Sequence, residues 1–194
     1  LRRENEFLKS RVLRQENSFK ELHDIGIALS EEKNINYLLE KIISKSMQLT
    51  YADGGSLYLI ESIQNFPEIE NEYWANKQII LKVIKNYSRK IDPDVNLIAD
   101  LTLESIYGNA ILNGNSILID DVYKLSNKSN FSWHGKEIDQ KYNYLTKSML
   151  TVPIFNKEKI PIGAIQLINC KRNFDTILGN YESILNEVIP FDKN

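Results

Sequence analysis

The sequence predicts an α+β fold: one central antiparallel sheet with helices packed on one face, preceded by an N-terminal coiled-coil helix. Three observations predict it. From Tyr142 to Asn169 the chain reads YNYLTKSMLTVPIFNKEKIPIGAIQLIN, two β-branched apolar runs flanking a polar turn, which is the pattern of a closing β-hairpin. Upstream, IYGNAILNGNSILIDDVY takes a short helix through a Gly/Asn turn into another apolar strand. Finally, long helices are few and strands follow one another in hairpin succession, an arrangement that leaves a loop face open for binding.

The first thirty residues are read separately. Leu1, Leu8, Val12, Phe19, Leu22 and Leu29 keep the alternating three-and-four spacing of a heptad seam, with Asn5, Gln15 and Gly26 at the remaining seam positions. Residues 1–30 are therefore expected to form a parallel two-stranded coiled coil, and residues 31–194 the domain it serves. A lone amphipathic helix packed on that domain is the plainer alternative.

After the polar break SEEKN, INYLLEKIISKSMQLTYA sets Leu38, Leu39, Ile42, Ile43, Met47 and Leu49 largely on one face of a helix. Asn34 or Asn36 is its expected cap, and Gly54 and Gly55 its expected end. SLYLIE then reads as a strand with Leu57 and Leu59 on one face and Tyr58 and Ile60 on the other. An acidic turn-rich loop joins it to a second strand, QIILKVIKN. The irregular segment SRKIDPDVNLIAD leads to a short helix over about 103–112 that stops at NGN, and Ser116 to Ile119 is a strand. Residues 122–145 form a polar, aromatic-rich, partly helical connector with the character of a lid. The hairpin follows, and then a charged excursion ending in Phe191.

Bulk properties narrow the function. At 194 residues, 42% hydrophobic and 26% charged, the chain is an ordinary folded protein with one core and an appendage. A net charge of -2 provides no basic field, so nucleic acid is not an expected partner. No apolar run is long enough to span a bilayer, no secretory signal pattern opens the chain, and the single cysteine cannot form an internal disulfide; a cytoplasmic protein without membrane contact is expected. The start at Leu1 and the end on FDKN suggest a piece of something longer, with an output domain outside it.

Catalytic signatures are sparse. His23-Asp24 is an HD dipeptide of the kind that ligates a divalent cation in metal phosphohydrolases. The only other histidine is His134, and nothing supplies the converging ligands a metal needs. Asp120-Asp121 at a strand end are expected to cap the turn that follows rather than act as an acid/base pair. No GxSxG surrounds a serine, and neither GxxxxGK[ST] nor GxGxxG occurs. Cys170 has Lys171 and Arg172 beside it to lower its pKa but no neighbouring histidine or second cysteine, so a structural role is favoured. No metal and no catalytic residue are expected; the chain is read as a binding protein, not an enzyme.

Polar and aromatic residues at strand faces, helix starts and the connector can surround an apolar pocket with hydrogen-bonding tips: Ser56, Tyr58, Tyr107, Trp133, Tyr142, Tyr144, Thr146, Ser148 and Gln166. Taken one at a time, each is better read as an ordinary half-buried residue.

The two segments IYGNAILNGNSILIDDVY and YNYLTKSMLTVPIFNKEKIPIGAIQLIN, with LHDIGIALSEEKNINYLLEKIISKSMQLTYADGGSLYLIE before them, resemble the GAF domain family from about His23 to Phe191. The resemblance implies a PAS-related antiparallel sheet with a small-molecule pocket in front, in regulatory parts of cyclases, phosphodiesterases, HD-type phosphohydrolases and histidine kinases. In cyclic-nucleotide-binding members the pocket positions correspond to Ile106 and Tyr107, Trp133, Thr146 and Gln166. Tyr107 stands where a small residue is usual. The Asn-Lys-Phe signature of those members is partly matched, with Asn169 and Phe191 in place and Cys170 where the lysine belongs unless Lys171 substitutes. Bilin-binding members carry a connector cysteine that this chain lacks.

The expected function is thus a sensory domain binding a small ligand, cyclic AMP or cyclic GMP first among them, through Ser56, Tyr58, Ile106, Tyr107, Trp133, Tyr142, Thr146 and Gln166. Occupancy would pass through a parallel homodimeric coiled coil to an output domain of the same protein. The alternatives are a ligand-free GAF dimerisation scaffold and a metal-dependent phosphohydrolase built on His23 and Asp24.

Overall fold

The computed structural model describes residues 34–64, 73–91, 97–125 and 130–192. The expected coiled coil and His23-Asp24 lie outside the described residues, as does the middle of the acidic loop. Two compact units divide the chain, Leu1–Ile42 and Ile43–Asn194; the first helix begins in one and ends in the other.

Helix α1 (Ile35–Thr50) starts where Asn34 Oδ1 accepts the backbone N–H groups of Asn36 and Tyr37 at 3.1 and 3.4 Å, so Asn34 is the cap. The expected stop at Gly54 and Gly55 is corrected: α1 ends at Thr50, and Tyr51 makes the left-handed turn with φ 58°. Both glycines belong to β1 (Ala52–Ser62), where close packing explains them. A Cβ on Gly54 would come within 2.8 Å of the Ile168 side chain, and one on Gly55 within 3.1 Å of Ile43, Leu167 and Met47.

β1 pairs in hairpin fashion with β2 (Lys77–Asn86), and β3 (Ile98–Asp100) adds a short edge inside a segment that the sequence reads as irregular. Helix α2 (Ile106–Asn113) is capped by Ser105, whose side chain accepts the Gly108 N–H. It closes on Gly114 at φ 64°, the left-handed geometry that the NGN stop calls for. β4 (Ile117–Ile119) leads into a 3-10 turn, Val122–Lys124, in which the Asp121 side chain accepts the Tyr123 N–H. Asp121 is therefore a cap, as expected. Helix α3 (Lys136–Lys141) lies in the connector, and β5 (Met149–Phe155) and β6 (Pro161–Lys171) form the predicted hairpin. The final excursion holds α4 (Tyr181–Glu187) and a two-residue strand, β7 (Val188–Ile189), neither of which the sequence pattern announces.

The sheet is seven-stranded in the order β3-β2-β1-β6-β5-β4, every pair antiparallel, with β7 joined to the end of β6. Alternation sorts the side chains. Ser56 lies opposite Gln166 and Tyr58 opposite Ala164 in the β1–β6 register, so these four share one face. On that face Tyr58, Ile79, Leu81, Ile111 and Ala164 make one apolar cluster, and Ile106, Ile119, Val122 and Met149 make a second with Trp133 packed against it. Leu57 and Gly55 point the other way, toward Ile43 and Met47 of α1. Thus Ile43 and Met47 of α1 back the sheet, while α2 and the connector shape its front.

Candidate functional site

A cavity of about 170 Å³ opens on the front face. Its floor is the sheet, with Ser56 and Tyr58 from β1, Ile84 and Asn86 from β2, and Gln166 and Ile168 from β6. One wall is the start of α2, where Ile106 and Tyr107 sit, and the roof is the connector with Trp133, Tyr142, Tyr144 and Thr146. The eight residues expected to contact a ligand line this one cavity, as does Tyr144, whereas Ser148 does not: its hydroxyl accepts the Cys170 N–H. The hairpin and the α2 segment meet there because β1, at the middle of the sheet, pairs with β6, while α2 is laid across β5 and β6.

Tyr58 and Tyr107 are stacked, ring centroids 4.6 Å apart and planes inclined by 22°. Burial pushes the Tyr58 hydroxyl up to about 12, so it remains a neutral donor at any physiological pH. Gln166 Nε2 donates to Thr151 Oγ1 at 3.1 Å across the β5–β6 ladder, which orients its amide. Trp133 lies over Gly135: a Cβ there would fall 2.1 Å from the indole ring, so only glycine lets the lid close this way. The buried indole N–H of Trp133 has no acceptor among the described residues.

Thr146 holds the roof rather than offering a free hydroxyl. Its N–H and its hydroxyl both donate to Asp139, each at 2.8 Å, and Tyr123 donates its hydroxyl to the same carboxylate at 2.8 Å. Asp139, on α3, is buried, and burial raises its pKa against the lowering pull of those three bonds. It lines the cavity and was not expected to; in KEIDQK nothing marks it as buried.

Tyr144 is the second residue with a larger part than its sequence context suggests. Its hydroxyl donates to Asp53 Oδ2 at 2.7 Å and accepts from Asn169 Nδ2 at 2.9 Å. Burial, and then the neighbouring Asp53 charge, hold the phenol well above its ordinary range. Asn169, left-handed at φ 56°, also accepts the Lys147 N–H at 2.7 Å and donates to the Leu145 carbonyl at 2.8 Å. It thereby stitches the strand end to the roof.

The ammonium of Lys171 faces Asp53 Oδ1 at 3.0 Å, with both side chains fully buried. Lys171, two residues after Asn169, thus finds its carboxylate partner on β1. The expectation that Lys171 and Arg172 lower the Cys170 pKa is corrected: burial raises the thiol, which donates to the Thr50 carbonyl at 3.3 Å. Among the described residues no group of three or more His, Cys, Asp or Glu is placed to hold a metal ion, and no helix is long and apolar enough to cross a membrane.

A seven-stranded antiparallel sheet with a small cavity on its front face, walled by α2 and roofed by an aromatic connector, defines an α+β domain. The chain belongs to the GAF domain family, whose family model matches residues 34–180. Solved structures agree in fold at low identity. The GAF domain of a Coxiella burnetii phosphoenolpyruvate-protein phosphotransferase matches with TM-score 0.56 and 14% identity, over 79% of this chain and 78% of that one. The corresponding Acinetobacter domain matches with TM-score 0.54 and 14% identity, over 87% and 85%. Residues 122 to 287 of a methyl-accepting chemotaxis protein match with TM-score 0.53 and 12% identity, over 86% and 90%. No curated protein matches the chain in sequence.

Proposed function

We propose that this GAF domain is a sensory, non-catalytic module that binds a small molecule in the front cavity and regulates an output domain of the same protein. The cavity carries the reading. About 170 Å³ stays open on the front of the sheet beneath a roof of aromatic residues, a concave and mostly apolar site of the kind small molecules use. Ser56 and Gln166 bring polar side chains to a lining that is otherwise largely apolar and aromatic, which is the pattern of an apolar pocket with a few orienting groups. The similar folds in phosphotransferase and chemotaxis proteins support a signalling setting.

Cyclic AMP and cyclic GMP are the first ligands to test, by analogy with family members whose pocket positions correspond to Ile106, Tyr107, Trp133, Thr146 and Gln166. The volume lies below the roughly 300–1,000 Å³ of drug-sized sites, so a nucleotide requires the lid to move and a smaller metabolite does not. Thermal unfolding with each compound is the test. A ligand at one hundred times its Kd adds about 2.7 kcal/mol to stability, a shift readily seen in a domain of this size.

A ligand-free dimerisation scaffold is the second reading. It is favoured by the Tyr58–Tyr107 stack, which already fills space that a ligand's ring would take. A screen of nucleotides and small metabolites without any thermal shift, together with a concentration-dependent dimer, would select it.

A further inference from the structure

We infer that the Tyr144 hydroxyl couples the cavity roof to the strap 173–180, so that the segment carrying α4 and β7 responds to the state of the cavity. Tyr144 lines the cavity on one side. On the other its hydroxyl donates to Asp53 at 2.7 Å, and Asp53 also accepts the Ser88 hydroxyl at 2.6 Å and pairs with Lys171 at 3.0 Å.

Two of these three partners of Asp53, Ser88 and Lys171, hold the strap. Ser88 Oγ accepts the Leu178 N–H at 2.7 Å, and Lys171 Nζ donates to the Thr176 carbonyl at 2.8 Å. Arg89 clamps the same region, donating to the Leu178 and Gly179 carbonyls at 2.8 and 2.9 Å and to the Asn143 carbonyl at 3.2 Å, beside Tyr144 itself.

The strap is suited to two states, docked and released. It is irregular backbone, Leu178 is its one fully buried residue, and Ile177 beside it is 55% exposed. Apart from Leu178, which packs with Ile184, Val188, Tyr144 and Leu145, and Phe174, which lies against Tyr87, the strap is held by polar ties, and short segments held in this way open locally at less cost than global unfolding. Every polar tie named here runs through a group bonded to Asp53 or through Arg89. A displacement of Tyr144 that breaks its bond to Asp53 takes one donor from that carboxylate, which then draws more on Ser88 and Lys171, and so alters the hold on Thr176 and Leu178.

The coupling belongs to the protein with or without a ligand; only its use as a signal rests on the cavity being a binding site. Hydrogen exchange of the Leu178 amide in the full chain tests it. Tyr144→Phe keeps the ring and deletes the hydroxyl, and is expected to speed that exchange about tenfold or more while leaving β1 and β2 protected. Tyr107→Phe, in the same cavity but not bonded to Asp53, is expected to leave it unchanged. In a Ser88→Ala background the effect of Tyr144→Phe should shrink, because the link to the strap is already cut.

Unchanged exchange at Leu178 in Tyr144→Phe overturns the inference, as does equal acceleration in both tyrosine variants, or full additivity of Tyr144→Phe with Ser88→Ala. If cyclic AMP and cyclic GMP both fail to shift melting, their role as ligands fails, while the coupling is still decided by the exchange data.

Discussion

The Asp53 carboxylate lies 3.0 Å from the Lys171 ammonium, and neither side chain is exposed. This pair joins the first strand to the last long one at the end of the sheet. Lys171 is further enclosed by the Tyr87 and Phe174 rings, at 4.2 and 5.1 Å from its Nζ to the ring centroids. The desolvation of both charges is offset by four hydrogen-bonding neighbours: Ser88, Tyr144 and Thr176 directly, and Asn169 through Tyr144.

Removing one partner leaves the other charge buried alone. Lys171→Met is expected to cost about 3–5 kcal/mol, seen as a large fall in the urea midpoint. Pairing it with Asp53→Asn should recover part of that loss, because no uncompensated carboxylate remains. A double variant as unstable as the sum of the two singles would show that the attraction between these charges contributes nothing.

Asp139 separates charge from hydrogen bonding. Burial raises its pKa, so the folded state holds a proton more tightly than the unfolded chain. The cost of burying the carboxylate is therefore in force at neutral pH and is relieved as the pH falls toward the ordinary value of 3.8. Asp139→Asn should be close to neutral or stabilising at pH 7, losing that advantage in acid, since an amide can serve Thr146 and Tyr123 uncharged. Asp139→Ala strands those donors and should cost about 1–3 kcal/mol at pH 7. Urea titrations at two pH values compare them, and equal losses in both variants would show the carboxylate charge to be needed.

Gly108 sets steric fit against helix propensity. Alanine in a helix is ordinarily favoured over glycine by about 1 kcal/mol. Here the added Cβ would meet the Thr102 carbonyl oxygen at 2.2 Å, and backbone cannot step aside cheaply. Gly108→Ala is expected to lower the melting temperature, with the start of α2 and the cavity wall displaced. A raised melting temperature would show that this wall is free to move.

Gly135→Ala tests the lid. The Cβ would fall 2.1 Å from the Trp133 ring, so the indole must swing off its seat. A shift of tryptophan fluorescence toward the exposed range with little change in the urea midpoint is the expected result, since the lid lies outside the main sheet. Unaltered emission would place Trp133 elsewhere in solution.

Much of the fold was legible because periodicity reports burial. The alternation in SLYLIE put Tyr58 and Ile60 on one face, and both join the front cluster, Tyr58 as a core member and Ile60 packed against it. The NGN stop placed Gly114 in its left-handed cap. The misread end of α1 has a specific cause: a glycine pair signals freedom of φ, but Gly54 and Gly55 are small for the sake of packing, and Tyr51 took the positive φ instead. β3, α4 and β7 are too short for any periodic pattern to emerge.

The sequence by itself determined the antiparallel hairpins through local spacing and the family through its motifs, and the resemblance to that family implied several of the residues that line the cavity. Only the tertiary structure decided which polar groups are committed to one another. Asp53 and Lys171 stand far apart in the chain, in contexts that mark neither as buried, and Asp139 looks like any helix-surface carboxylate. They meet because β1 and β6 are neighbours in the sheet and the connector folds back over it. A charge taken out of water needs its partner at that point in space, and single-chain spacing does not encode such long-range pairing.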